Sequence, residues 1–208
     1  MHADSTLPEG PTTAIVRAGY ASDADSLDLI YASLVDESAR VRVLALRAGA
    51  RREVLDDGDW LRALADTSGE VRRECLVLLG ARDVNEAIRR GVERCLDDED
   101  PLVVDAAAFT LGEHPDPTSV EALIRCATHD DARCREAAVA ALGAIGDERG
   151  LATVLAALED KAPVRRRAVV ALANFEGPEV DAALERARDD RDWQVRAAVD
   201  ALTRDETL

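Results

Sequence analysis

Val164-Arg165-Arg166-Arg167-Ala168-Val169-Val170-Ala171-Leu172-Ala173 reads as V-R-x-x-A-x-x-A-L-(G/A), and the same ten-residue pattern returns along the whole chain. Cys134-Arg135-Glu136-Ala137-Ala138-Val139-Ala140-Ala141-Leu142-Gly143 repeats it with Cys in first place. Val71-Arg72…Leu79-Gly80 and Val103-Val104…Leu111-Gly112 are weaker copies. Val41-Arg42…Ala48 opens the series and Val195-Arg196…Leu202 closes it. The first positions are separated by 30, 32, 31, 30 and 31 residues, a fixed period that signals a solenoid of repeated helical units. Positions 0, +4, +7 and +8 fall on one face of a helix with about 3.6 residues per turn, and they are apolar or small in nearly every copy. Alanine at +4 and +7 lets neighbouring helices come close.

Upstream of the later motifs lies a second apolar-periodic segment: Val120-Leu123-Ile124-Ala127, then Leu151-Val154-Leu155-Leu158, then Val180-Ala183-Leu184-Ala187. Each unit is therefore expected to be a helix pair, A followed by the motif-bearing B. One pair cannot bury its own apolar face, so the pairs must stack. Helix starts are marked by Asp100-Pro101, Asp116-Pro117 and Gly177-Pro178, and by the capping-box spacings Thr67…Glu70, Asp83…Glu86 and Thr118…Glu121. Gly80, Gly112 and Gly143 are expected to provide left-handed turns near B-helix ends. Asp56-Asp57-Gly58-Asp59 is expected to break or displace the first turns of the second A helix. Residues 1–24 read as a tail and an N-terminal cap, with a loose segment 1–11 and a short helix over 12–20. Residues 25–208 read as a single solenoid domain closed by the polar end Arg204-Asp205-Glu206-Thr207.

This pattern resembles HEAT repeats, in particular the short type of about 31 residues also called phycobilisome-lyase-like HEAT repeats. The resemblance covers about residues 26–205. It implies an all-α, right-handed α-solenoid of about six stacked pairs, an armadillo-type superhelix whose B helices line a concave inner face. It also implies that the Asp four or five residues before each motif pairs with the Arg at +1 between adjacent repeats. That ladder would comprise Asp36, Asp66, Asp98, Asp130, Asp160 and Asp190 with Arg42, Arg72, Arg135, Arg165 and Arg196. Val104 stands where the third repeat should have its Arg, so one rung is expected to be missing.

Composition narrows the function. The formal net charge is −16, and a phosphate-binding protein needs a dense basic footprint that this chain lacks, so nucleic acid is not expected as a partner. Aromatics are 3% of residues, so the core must be built from Ala, Leu and Val. No apolar run reaches the 18 or so residues of a membrane-spanning helix. The polar, acidic start Met1-His2-Ala3-Asp4-Ser5 does not read as a secretory leader, and Cys75, Cys95, Cys126 and Cys134 form no C-x-x-C pair. Buried thiols in a reducing cytoplasm are the expectation.

No catalytic or metal constellation emerges. His2, His114 and His129 are scattered, and the acidic turns Asp97-Asp98-Glu99-Asp100, Asp130-Asp131, Glu159-Asp160 and Asp189-Asp190 do not match a calcium-loop spacing. These turns read first as helix caps. No metal or cofactor is expected. The remaining candidate is the B-helix face. With 0, +4, +7 and +8 in the core, +2 and +6 should face the groove. At +2 stand Val43, Arg73, Asp105, Glu136 and Arg166, and at +6 stand Arg47, Val77, Phe109, Ala140 and Val170. The candidate partner-binding residues are Arg73, Val77, Asp105, Phe109, Glu136, Arg166 and Val170. Phe109 reads equally well as a groove anchor or as packing against a neighbouring B helix. The expected function is a non-enzymatic scaffold binding a protein segment. The alternative is an accessory or catalytic subunit of a bilin-lyase-type enzyme.

Overall fold

A computed structural model describes residues 10–205, all of whose regular structure is helical. The expected loose tail before Gly10 and the Glu206-Thr207 end lie outside the described residues. The chain divides into two compact units, Met1–Leu78 and Leu79–Leu208.

The first unit opens with α1 (Pro11–Ala18), which starts on a proline and buries Ile15 and Ala18. It lies against α3 (Ala39–Arg52), as does α2 (Ala24–Ser33), so α1 covers the first pair as the sequence implied. Gly19 makes this approach possible: a Cβ there would sit 3.0 Å from the Ala48 Cα. Asp23 caps α2 by accepting from the Ser26 N–H at 2.8 Å. α3 ends at Glu53 in the left-handed region, with φ 57°. The second pair is α4 (Asp57–Leu64) and α5 (Gly69–Leu79). Here the sequence reading needs correction. The Asp56–Asp59 run does not break α4 but begins it, because Asp56 and Asp59 form a reciprocal capping box. Acidic side chains at a helix start satisfy free N–H groups and oppose the positive end of the helix dipole.

The second unit begins with α6 (Glu86–Arg94) and α7 (Pro101–Glu113). The further pairs are α8 (Val120–Cys126) with α9 (Ala132–Ile145), α10 (Leu151–Ala156) with α11 (Ala162–Leu172), and α12 (Pro178–Ala187) with α13 (Trp193–Asp205). The B helices α7, α9, α11 and α13 stack in that order, and each A helix packs on its own B helix. The motif explains the stack. Val103, Cys134, Val164 and Val195 at position 0 are fully buried, as are Ala107, Ala138, Ala168 and Val199 at +4. Leu111, Leu142 and Leu172 at +8 complete the core column.

Several helix-end readings shift. Asn85, not Asp83, caps α6 by accepting from the Ile88 N–H at 3.0 Å. The Asp116-Pro117 start is as expected, Asp116 capping a 3-10 turn over Pro117–Ser119 that leads into α8, whereas Thr118 is not the cap of α8. α5 begins one residue later than the Thr67…Glu70 spacing implies, with Ser68 ahead of its first residue. Asp100 caps α7 as expected.

Gly112 and Gly143 are not left-handed turns; both lie inside helices. They serve close packing. A Cβ on Gly143 would sit 2.6 Å from the Ala171 Cα, and one on Gly112 would sit 3.2 Å from the Ala141 Cα. The left-handed end of α9 is Gly146 instead, with φ 65°. Gly143→Ala is therefore expected to destabilise by about 1–3 kcal/mol, overpacking outweighing the roughly 1 kcal/mol gain in helix propensity. Gly112→Ala should cost less. Urea unfolding of both variants checks this, and an unchanged or raised midpoint for Gly143→Ala would contradict the close approach of α9 to α11.

Candidate functional site

The Arg–Asp ladder is structural in its geometry. Arg42 holds Asp66 through Nε and Nη2 at 2.7 and 2.6 Å. Arg135 holds Asp160 with both distances 2.6 Å, and Arg165 holds Asp190 with both at 2.8 Å. In each case Nη1 of the same Arg donates to carbonyls of its own A–B turn, at Asp36, His129 and Asp160 respectively. One guanidinium thus ties a turn together and clamps it to the next. The Asp carboxylates serve twice, since Asp66 and Asp190 also accept the backbone N–H two residues on.

The joint between the third and fourth repeats departs from this on both sides. Val104 replaces the Arg and is fully buried. Five residues before the motif stands Asp36, Asp66, Asp98 or Asp190 in four repeats and Glu159 in the fifth, but His129 in the fourth. His129 Nδ1 accepts from the Asp131 N–H at 2.9 Å, the same i+2 turn bond that the aspartates make. Asp130, assigned to the ladder from sequence, is exposed, and Val104 stands where its arginine partner would be. The rung is missing as expected, and both of its members have been exchanged.

The acidic turns act as caps. Asp131 and Asp147 accept from the N–H groups of Arg133 and Arg149, whose guanidinium groups hold both carboxyls down at about 2. Asp160 and Asp190 lie below the usual carboxylate range because Arg135 and Arg165 bond to them. A carboxyl held low when folded stabilises the fold above its unfolded value, near 3.8, and loses that contribution as pH falls through its folded value. Urea midpoints should therefore change little from about pH 7 to 5 and drop steeply below about pH 4. A flat profile from about pH 4.5 to 2.5 would contradict the caps and rungs.

The B-helix face is the other surface. In the second unit Phe109 is 57% exposed on α7 and Val170 is 43% exposed on α11, with the half-buried Ala140 between them on α9. Phe109 is thus not a core residue. Beside this apolar row runs a polar one. Asp105 and Glu136 are half-buried on α7 and α9, and Glu136 lies 3.8 Å from Arg166 and 3.7 Å from Arg167 on α11. Arg166 in turn donates to Gln194 on α13 at 3.4 Å. The structure adds residues that the sequence reading missed. Leu102, one position before the motif of α7, and Trp193, two before that of α13, are both exposed, Trp193 by 66%. Leu102 stands seven residues before Phe109, which places both on one helix face. In the first unit Arg73 is exposed and Val77 is 53% exposed on α5, while Arg47 on α3 is bidentate to Glu74 at 2.6 Å. Val43 is the exception among the expected groove positions: it is buried, on the helix that α1 covers.

This surface can pack and pair charges. The four cysteines are buried, and none is in a disulfide. Burial pushes the Cys126 and Cys134 thiols up to about 12 and about 11, so neither is a thiolate nucleophile near neutrality. Among the described residues no helix is long and apolar enough to cross a membrane.

Comparison with known proteins follows the same lines. A family model described as HEAT repeats matches residues 58–142, 88–173 and 135–203. No curated protein sequence matches. Among solved structures, YibA of Escherichia coli is 16% identical, with TM-score 0.61 over 95% of this chain and 75% of that one. The complex of CpcE and CpcF of phycocyanin lyase from Nostoc sp. PCC7120 is 22% identical, with TM-score 0.61 over 96% and 77%. A designed armadillo repeat protein in complex with the peptide (KR)4 is 17% identical, with TM-score 0.57 over 91% and 97%. At these identities the likeness is one of fold.

Proposed function

The chain belongs to the HEAT-repeat family, an all-α repeat solenoid fold typical of protein-interaction scaffolds, and we propose that it is a non-enzymatic, cytoplasmic scaffold that binds an extended segment of a partner protein on its B-helix face. The observation that carries this reading is the uncovered apolar row Phe109–Ala140–Val170, running beside the cross-linked charges of Glu136 and Arg166. On α7 and α11 the residues flanking Phe109 and Val170 are fully buried, so these two side chains are not loose core. Exposed aromatic and apolar side chains beside arginine are the composition of binding hot spots. A net charge of −16 favours protein over nucleic acid as the occupant. A protein of similar fold is known in complex with a peptide, which fits the proposal.

Phe109→Ala should weaken partner binding by more than about 1 kcal/mol. Because Phe109 is more than half exposed, its stability cost should stay well under the roughly 3–5 kcal/mol of a buried Phe. Affinity capture from the native host with wild-type and Phe109→Ala protein in parallel would identify the partner. Titration and urea unfolding of both proteins then separate the two effects. Unchanged affinity would remove the B-helix face as the working surface. A spectral shift on adding bilins, abolished by nothing on this face, would favour the lyase-type alternative.

A further inference from the structure

The outer layer of the second unit holds a feature unrelated to the B-helix face. A pocket of about 400 Å³ opens between the A helices of the last two pairs, α10 and α12. Its apolar wall is Leu155 and Leu158 on one side and Ala183 and Ala187 on the other. Leu158 and Ala187 also pack into the core cluster around Val169 and Val195, so this wall is continuous with the core. The pocket has a cause in the sequence. The position held by Ala183 is Leu123 in the fourth pair and Val154 in the fifth, both fully buried. The last pair alone of these three has only a methyl group there.

The charged groups at the pocket are asymmetric. Arg165 and Asp190 neutralise one another through the ladder, which still leaves Arg165 with two of its five N–H donors unused. Arg186 and Arg191, both exposed, carry no ion pair among the described residues, and Glu159 is the remaining acid of the lining. Among the lining residues three arginines face two acids, Glu159 and Asp190, a balance of one positive charge in a chain whose net charge is −16, with Asp192 close enough to act on Arg165. Repulsion from the distant acidic surface is screened beyond about 8–10 Å at ordinary ionic strength, so the charges of the lining and its nearest neighbours set the field at the mouth.

We propose that this pocket is a second binding site and that its ligand is a single-chain amphipathic carboxylate, with the aliphatic tail on the Leu155–Ala183 wall and the carboxylate at Arg186 and Arg191. The volume lies within the usual few-hundred-Å³ range of small-molecule sites. Apolar walls that exclude water reward the tail. A planar guanidinium matches a carboxylate in bidentate geometry, and two of them at one mouth reject a cation of the same shape. The tail occupies the space that Leu123 and Val154 fill in the preceding pairs.

The probe is decanoate below its micellar concentration, titrated calorimetrically into the full chain, with decyltrimethylammonium as the charge-reversed comparison. Decanoate should bind saturably, and decyltrimethylammonium should bind at least about ten-fold more weakly. Ala183→Leu, which fills the pocket from within, should weaken decanoate by at least about ten-fold without lowering the thermal midpoint. Ala183→Val, which restores the residue of the fifth pair, keeps the test if leucine overfills the site. The double variant Arg186→Ser, Arg191→Ser should lose affinity to a similar degree while leaving the fold intact. Absence of saturable binding overturns the proposal. So does unchanged affinity in a natively folded Ala183 variant, equal binding of the cation, or binding only to vesicles of anionic phospholipid.

Discussion

Truncating Leu142 to alanine should lower the free energy of unfolding by about 2–5 kcal/mol. Leu142 stands at +8 of the motif on α9 and is 1% exposed. Its Cδ2 lies where Gly150 leaves room, 3.2 Å from the position of an added Cβ, so the side chain fills a gap that has no other occupant. α9 is packed by α7 on one side and α11 on the other, and neither can collapse inward without dragging its own neighbours. The cavity term should therefore add to the lost transfer energy rather than relax away. Urea unfolding followed by circular dichroism measures this. A loss below about 0.5 kcal/mol would mean that the core column has been placed on the wrong helix face.

Arg165→Ala should cost about 3 kcal/mol or more, because it strands the Asp190 carboxylate with its partner gone. The Arg165 side chain is 6% exposed and that of Asp190 14%, so water can do little to replace the guanidinium. The variant also loses the bond from Nη1 to the Asp160 carbonyl. The chain itself indicates the remedy. The joint between its third and fourth repeats dispenses with the rung by using Val104 and His129. The double variant Arg165→Val, Asp190→His should recover at least about half of the loss of the single variant, since no buried charge is then left alone. Equal losses in single and double variants would show that the rung matters through packing of the arginine stem and not through the stranded charge.

The period and the core column were legible because burial depends on residue type at fixed offsets, which a sequence displays directly. Val103, Cys134 and Val164 could be placed at once on that basis. Helix ends were less legible, because several residues with capping oxygens compete within a few positions and tertiary packing chooses among them. Asn85 won over Asp83, and of the two starts that the sequence offered at the fourth pair, Asp116 is the one that caps. Gly143 was misread for a related reason: its role depends on the distance to Ala171 on another helix, which no local spacing encodes. Of the candidate face, the exposure of Phe109, Val77 and Val170 followed from the +6 offset. The burial of Val43 did not, since the first repeat has α1 against its B helix. Leu102 and Trp193 were missed because only the offsets inside the motif were read outward. An i−7 step from Phe109 would have found Leu102.

The exchange of an ionic rung for Val104 between α7 and α9 has a consequence for which joint yields first. The α9–α11 and α11–α13 joints each carry a charged clamp, whereas the α7–α9 joint relies on apolar contact. These two kinds of adhesion respond oppositely to conditions. Acid discharges the carboxylates and spares the apolar seam, whereas cooling weakens apolar association and leaves ion pairs in place. The second unit therefore has no single weakest link: under acid its clamped α9–α11 and α11–α13 joints should loosen first, and near freezing the α7–α9 seam should be the first to admit solvent.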